Sequence, residues 1–381
     1  MLITNDQDLQ QMLDKIAGCR ALAIDTEFMR DKTYHPLLCL VQCATDDEEF
    51  IIDPLSVKNL KALAPILTDE RTVKVFHAGK QDRELIFSYC GVAASPVFDT
   101  QSAAPLLGMP QQVGYGTAVE TFCGVKLKKL DSLTDWTLRP LSNRQIDYSL
   151  DDVRYLLPMY DKMRERLEER GRMHWLDAEF AAMSDPATFE KPESELWHKV
   201  KKANSLPRRK LVHVQSIAIW RERIAARRDI PRRWVLPDEL VVEISRVEPT
   251  STSELYRIRG TREKLTSSMA KDLVHLIERG KEAAPETWPV KSKKKHANNG
   301  SDALADMLMG LVRVRAKEHD LAPQVLAVHD DLAALASGER EGLDLLEGWR
   351  YEIVGRELVG LLEGREMLKV ENGTIVAVPV E

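Results

Sequence analysis

Residues 21–30, ALAIDTEFMR, set two acids, Asp25 and Glu27, into an otherwise apolar run. In a strand, side chains two positions apart share a face, so both carboxylates point the same way. Two like charges held together are unfavourable unless a cation lies between them, and a divalent ion bound by oxygen ligands is the usual resolution. The stretch therefore predicts a strand of a sheet with a metal site on one face. A strand end whose acids simply meet solvent is the ordinary alternative for a lone D-x-E pair, so acids elsewhere in the chain must decide.

The flanking segments predict the sheet around that strand. Upstream, residues 4–18 (TNDQDLQQMLDKIAG) carry capping residues, then Leu9, Met12, Leu13 and Ile16 at helical spacing, and close on Gly18. Downstream, residues 37–45 (LLCLVQCAT) and 48–54 (EEFIIDP) read with residues 21–28 as an antiparallel three-strand meander. A helical run, VKNLKALAPIL, leads to a fourth strand in TVKVFHA and to a helix in GKQDRELIFSYC. The alternation predicts an α/β domain, a mixed sheet with flanking helices.

Two further sets of residues can reach the face of Asp25 and Glu27. Asp82 lies in the first turn of the helix after the fourth strand, where an acid is also favourable at a helix N-terminus. In residues 127–160 (LKKLDSLTDWTLRPLSNRQIDYSLDDVRYLLPMY), SNRQ supplies an N-cap for a long helix on which Tyr148 and Asp152 fall four apart, one above the other. Any one of these acids alone has an ordinary explanation; their order along the chain favours one shared site.

Asp25 and Glu27 in IDTEF, Asp82 in FHAGKQD, and Tyr148 with Asp152 in YSLDD resemble the three exonuclease motifs of DEDDy-type 3′ to 5′ exonucleases, and FHAG, TDWTLRPL and DVRYLLPMY are similar to the ribonuclease D family. The resemblance implies a ribonuclease H-like exonuclease domain and a 3′ to 5′ exoribonuclease that releases nucleoside 5′-monophosphates, acting on RNA such as tRNA precursors. One departure is Leu133, where the family pattern places an Arg; Lys129 is the neighbouring cation that can replace it at the substrate. Four carboxylates without cysteine or clustered histidine favour two Mg²⁺ or Mn²⁺ ions over zinc. On this reading Asp25 bridges the ions, Glu27 and Asp152 serve one and Asp82 the other, and Tyr148 orients the attacking water. Phe28 is a candidate stacking residue, and His77 a candidate substrate contact.

The rest of the chain predicts RNA binding. The net charge of −6 divides into −9 over residues 1–190, +11 over 191–300 and −8 over 301–381. A basic segment inside an acidic protein points to a polyanionic partner. Within it, Arg227, Arg228, Arg232 and Arg233 crowd a helical stretch, SLPRRKLVHVQSIAIWRERIAARRDIPRRWVLPDEL, and are candidate phosphate contacts. Residues 304–338 echo that stretch at an offset of 91, with Asp320 and Leu321 answering Asp229 and Ile230. The first copy resembles the all-α HRDC module and the second is a diverged version. The expected domains are therefore 1–190, 191–290 and 291–381. Five cysteines, odd in number and without a C-x-x-C pair, argue against a disulfide framework. No long uncharged apolar run is present, and a cytoplasmic monomer is the expectation. The competing readings are a DNA 3′ to 5′ exonuclease, which would use the same acids, and a catalytically weak RNA-binding protein.

Overall fold

A computed structural model of the protein describes residues 1–127, 134–190, 192–291 and 301–380. The chain divides into two compact units: residues 1–27, 39–186 and 294–381 form one, and residues 28–38 with 187–293 form the other. Lys129, Leu133 and residues 292–300, which hold most of the KSKKK run, lie outside the described residues.

In the first unit, β1 (Leu2–Ile3), α1 (Asp6–Ile16), β2 (Ala21–Met29), β3 (Leu37–Ala44), β4 (Glu49–Ile52), α2 (Ala64–Thr68), β5 (Val73–Phe76), α3 (Lys80–Cys90) and β6 (Val97–Asp99) follow in chain order. They build a mixed sheet of order β1-β4-β3-β2-β5-β6, with β3 antiparallel to β4 and β5 parallel to both β2 and β6. The three runs read as a meander are neighbours in that order. The edge strands β1 and β6, two and three residues long, are too short to leave a periodic signal. The caps behave as the sequence predicts: Asn5 accepts the Asp8 N–H at the start of α1, and Gly18, with φ +77°, follows its end.

Helices α4 (Thr100–Ala103), α5 (Tyr115–Cys123), α6 (Asn143–Arg154), α7 (Leu156–Glu169) and α8 (Asp177–Ser184) complete the exonuclease-like part. The second unit is helical: α9 (Arg208–Arg228), α10 (Arg232–Val235), α11 (Asp238–Val247), α12 (Thr252–Leu255), α13 (Thr261–Lys264) and α14 (Ser267–Lys281). Its core is built from Leu211, Val214, Ile217, Val235, Leu236, Val241, Leu273 and Ile277.

The C-terminal stretch holds α15 (Ser301–Glu318), α16 (Pro323–Leu326), α17 (His329–Ala336), α18 (Gly348–Arg350), α19 (Arg356–Leu362) and the hairpin β7 (Glu366–Glu371) with β8 (Thr374–Pro379), turning at Asn372 and Gly373, both at positive φ. Divided off at residue 291 in the sequence reading, it instead shares one apolar core with the sheet. Leu308, Leu311, Leu332 and Val354 pack in the same cluster as Val75, Phe98, Leu156 and Met163. Polar contacts lock the join. Buried Arg172 donates to the Leu106 and His319 carbonyls, Arg170 pairs with Asp320 at 2.7 Å, and Trp175 stacks on Trp349 at 4.2 Å between centroids.

The residues before α6 are held to the sheet by one ion pair. Asp53, 1% exposed at the end of β4, takes the Arg139 guanidinium through two hydrogen bonds of 2.7 and 2.8 Å. Arg139 also donates to the Cys39, Trp136 and Leu138 carbonyls. Burial disfavours the Asp53 charge, but Arg139, the Leu55 N–H and the Ser56 hydroxyl together outweigh it and hold the carboxyl below its ordinary range. Asp53→Ala leaves a guanidinium with unpaired donors, so it should lower the unfolding free energy by about 3 kcal/mol in denaturant titrations, as breaking buried pairs does.

Candidate active site

Three pieces of local structure converge on the exposed end of β2. The strand is held on both sides, by β3 and β5, and residues 21–24 are buried; Asp25 and Glu27 follow where the strand emerges. Helix α6 starts at the N-cap expected from SNRQ, and the structure completes it as a capping box: Ser142 Oγ accepts the Gln145 N–H, and the Gln145 side chain accepts the Ser142 N–H at 3.0 Å. That start fixes the phase of the helix and puts Tyr148 and Asp152 on one side. Asp82 sits in the first turn of α3, after a tight turn in which Ala78 has φ 57° and a Cβ on Gly79 would lie 2.5 Å from the Phe76 Cβ.

The carboxylate oxygens of Asp25, Glu27 and Asp152 lie within 4.8 Å of one another. Asp82 stands beside this group, one of its oxygens taking a hydrogen bond from the Thr26 hydroxyl. Each acid is pushed toward its neutral form. Asp25 is raised well above the carboxylate range by burial and then by Asp82, Asp152 and Glu27; Glu27 rises to about 8 by burial and then by Asp152 and Asp82. Asp152 and Asp82 are also raised, chiefly by burial. Burial and the same acids raise Tyr148, so its phenol stays protonated and donates to Asp152. An oxygen-only donor set that repels itself this strongly fits a hard divalent cation.

This five-residue geometry rests on a chain that matches known proteins along nearly its full length. Ribonuclease D of Sphingobium indicum is 39% identical to it, across 98% of this chain and 97% of that protein. The chain belongs to the ribonuclease D family. Ribonuclease D of Bartonella henselae is 37% identical over 98% of this chain and 93% of its own length. The solved structure of Escherichia coli RNase D, described as an exoribonuclease involved in structured RNA processing, superposes with a TM-score of 0.79 at 28% identity, covering 96% of this chain and 98% of that one. A 3′-5′ exonuclease family model matches residues 1–168 and an HRDC domain model matches residues 211–277. As a ribonuclease D family member the chain is a 3′ to 5′ exoribonuclease whose exonuclease fold uses divalent metal ions.

The remaining sequence candidates fall differently. Phe28, half-buried, directly follows Glu27 on β2. His77 was expected at the substrate, but both its ring nitrogens are engaged inside the protein, Nδ1 with the Thr100 hydroxyl and Nε2 with the Val113 carbonyl, each at 2.9 Å. It therefore braces the turn before α3. Arg227 and Arg228 end α9 exposed, and Arg232 and Arg233 open α10 with loose 3.5 Å pairs to Glu222 and Glu239. Arg221, counted in the same basic stretch, is instead 1% exposed and tied to Asp238 at 2.7 Å.

Sequence reasoning passed over the residues that hold the site. Asp99, at the end of β6, accepts the Ala78 and Gly79 N–H groups at 3.0 and 2.9 Å, which sets the turn that aims Asp82. Tyr115 donates to the Asp151 carbonyl at 2.9 Å and so anchors the α6 turn that carries Asp152. Buried Trp136 lies 6.1 Å from the Tyr148 ring. The TDWTLRPL motif flagged Trp136 and Arg139; nothing local distinguishes Asp99 or Tyr115.

The raised Glu27 has a definite signature. A carboxyl lifted from 4.5 to about 8 contributes stability that is complete below pH 4.5 and lost as pH climbs through 8. In chelator, Glu27→Gln removes that loss, so the variant's Tm advantage over the parent should widen from pH 5 to pH 8. Saturating Mg²⁺ should erase the advantage. A difference independent of pH would mean that Glu27 is not held in the acidic cluster.

Proposed function

We propose that this exoribonuclease trims the 3′ ends of structured RNAs such as tRNA precursors, with Asp25, Glu27, Asp82 and Asp152 as metal ligands and Tyr148 as the residue that orients the attacking water. The observation that carries the reading is the approach of Asp25, Glu27 and Asp152 to within 4.8 Å, with the Tyr148 hydroxyl on Asp152. Two Mg²⁺ or Mn²⁺ ions bound there would supply a more acidic water and neutralise charge on the leaving 3′ oxygen. The protein's own contribution is positional. Asp25, at the centre of the cluster, is the natural shared ligand, and Asp82 is held beside it by the Thr26 hydroxyl. A protonated Tyr148 acts as hydrogen-bond donor or acceptor to the water, not as a strong base. Phe28 is placed to stack on the terminal base, Lys129 is assigned to the scissile phosphate, and His77 is assigned to positioning.

We read the C-terminal stretch, sequence domain 291–381, as a second HRDC-like copy beside the first in 191–290. The support is a shared backbone at the offset of 91. Asp229 and Asp320 both end a helix at φ 48° and 49°. The N–H of the next residue returns to Ala225 in one copy and Ala316 in the other, and α10 and α16 then start and stop at matching positions. Among the described residues no helix is long and apolar enough to cross a membrane, and the proposed working form is a cytoplasmic monomer.

Asp25→Ala or Asp152→Ala should abolish Mg²⁺-dependent release of 5′-monophosphates from a 3′-extended tRNA while leaving the fold intact in circular dichroism. Removing one acid from a repelling cluster should hold or raise the Tm in chelator. Tyr148→Phe keeps the ring against Trp136 and should lower kcat roughly a hundredfold, within the range for a lost orienting or acid–base group. Turnover near the parental rate in any of the three would remove that residue from the site. Matched DNA and RNA strands in the same assay decide between RNA and DNA as substrate.

The basic face is assigned to RNA binding. Reversing Arg227, Arg228, Arg232 and Arg233 to Glu should weaken tRNA binding and flatten its dependence on salt, since fewer counterions are released. Equal losses on tRNA and on a short oligonucleotide, or an unchanged salt slope, would reduce this face to a solvated surface.

A further inference from the structure

The arginines assigned to phosphate surround a feature that charge alone does not explain. Trp234, on α10 directly after Arg232 and Arg233, is 55% exposed and is the one aromatic among the large apolar side chains left exposed in the described residues. Its neighbour Val235 is 2% exposed and belongs to the core, so α10 buries one side and presents the indole on the other. Leaving a Trp in water forgoes the largest apolar burial available to a side chain.

The second helical copy provides an internal comparison. At the offset of 91, the buried positions keep their character: Val235 corresponds to Leu326 at 1% exposure and Leu236 to Ala327 at 3%. The exposed set changes as a group. Arg227 and Arg228 become Glu318 and His319, Arg232 and Arg233 become Pro323 and Gln324, and Trp234 becomes Val325, which packs partly buried against the core of the first unit. The backbone is common to both copies, so the scaffold does not require an exposed Trp. The indole and the four arginines occur together in one copy and are absent together from the other. That pairing is what a single-stranded nucleic acid site needs: cations that follow the phosphates and an aromatic face on which a base stacks without regard to sequence.

We propose that Trp234 is a base-stacking platform for an unpaired segment of the RNA, flanked by Arg232 and Arg233, which hold the adjoining phosphates. The inference rests on the reading of the basic face as an RNA-binding surface and adds the class of RNA it takes, single-stranded and unstacked. Arg233 is free to do this, because its exposed 3.5 Å pair with Glu239 contributes little. Stacking displaces no counterions, so it adds affinity without adding salt dependence.

The test uses the full chain in chelator, where no hydrolysis occurs, and a 5′-labelled single-stranded oligoribonucleotide read by fluorescence anisotropy. Trp234→Ala should weaken binding about tenfold, within the range for one base stacked on an aromatic side chain, with an unchanged salt slope. Trp234→Phe should recover most of the loss. On an abasic strand of the same length and charge, parent and Trp234→Ala should bind equally. Unchanged Tm values would show that the exposed position leaves the fold alone. An equal loss on the abasic strand would overturn the proposal, as would no loss on either strand. A fall in molar mass by light scattering without a change in RNA affinity would also overturn it, by placing the indole against a second protein copy. If the four-Arg reversal weakens binding and Trp234→Ala does not, only the stacking proposal fails; if the reversal itself leaves affinity and salt slope unaltered, the basic-face reading fails first.

Discussion

Mutual repulsion among Asp25, Glu27, Asp82 and Asp152 is the constraint around which the first unit is arranged. Carboxylates gathered at a partly buried point would move apart or protonate if the backbone allowed it, and each is raised above its ordinary range, first by burial and then by neighbouring acids. The first response is blocked by groups outside the cluster. β2 lies between two strands, the Asp99 carboxylate grips the turn before α3, and Tyr115 holds the last turn of α6 by a main-chain carbonyl. The Asp53–Arg139 pair fastens the residues leading into α6. The result is a site prepared for cations at a cost to the apo protein, which is the usual relation between a functional centre and the stability of its scaffold.

The parts of this arrangement that were legible in the sequence are those with a local cause. Two acids at i and i+2 on a strand must share a face, a Ser-x-x-Gln box must set the phase of a helix, and residues four apart on that helix must align. Those rules pair Asp25 with Glu27 and Tyr148 with Asp152; the order of the acids and the resemblance to the exonuclease motifs are what joined the pairs into one site. They do not reach residues whose partner is distant in the chain. Asp99 meets Ala78 and Gly79, and Tyr115 meets Asp151 thirty-six positions on; neither carries a pattern of its own. His77 shows the converse. Its motif offered it as a substrate contact, but the Thr100 and Val113 contacts engage both ring nitrogens inside the protein.

The likeness of residues 304–338 to the stretch 91 positions earlier has a local cause of the same kind. An Asp that ends a helix in the left-handed region, followed by an apolar residue whose N–H turns back, is a compact signal that survives divergence, because only a few residue types tolerate that backbone. Where the second copy packs was not legible, since docking on α7 and the sheet is specified by scattered contacts. These include the Arg172 hydrogen bonds and the Trp175–Trp349 stack. Residues 304–338 set Val325 and Asp320 against protein, whereas Trp234, which matches Val325 at the offset of 91, is exposed.

Electrostatics explains why a nuclease of this composition needs that second role. Residues 1–190 carry −9, so the domain that must receive a polyanion repels it. Metal bound among the acids corrects the imbalance only locally, because beyond roughly 10 Å salt screens its field. Attraction at longer range would be damped equally, so cations help only where they can touch phosphate. The exposed Arg227, Arg228 and Arg233, with the half-buried and loosely paired Arg232, meet that condition, whereas Arg221, buried against Asp238, does not. Raw charge count therefore overstates the proposed binding face: the +11 of residues 191–300 includes Arg221, which holds the module together.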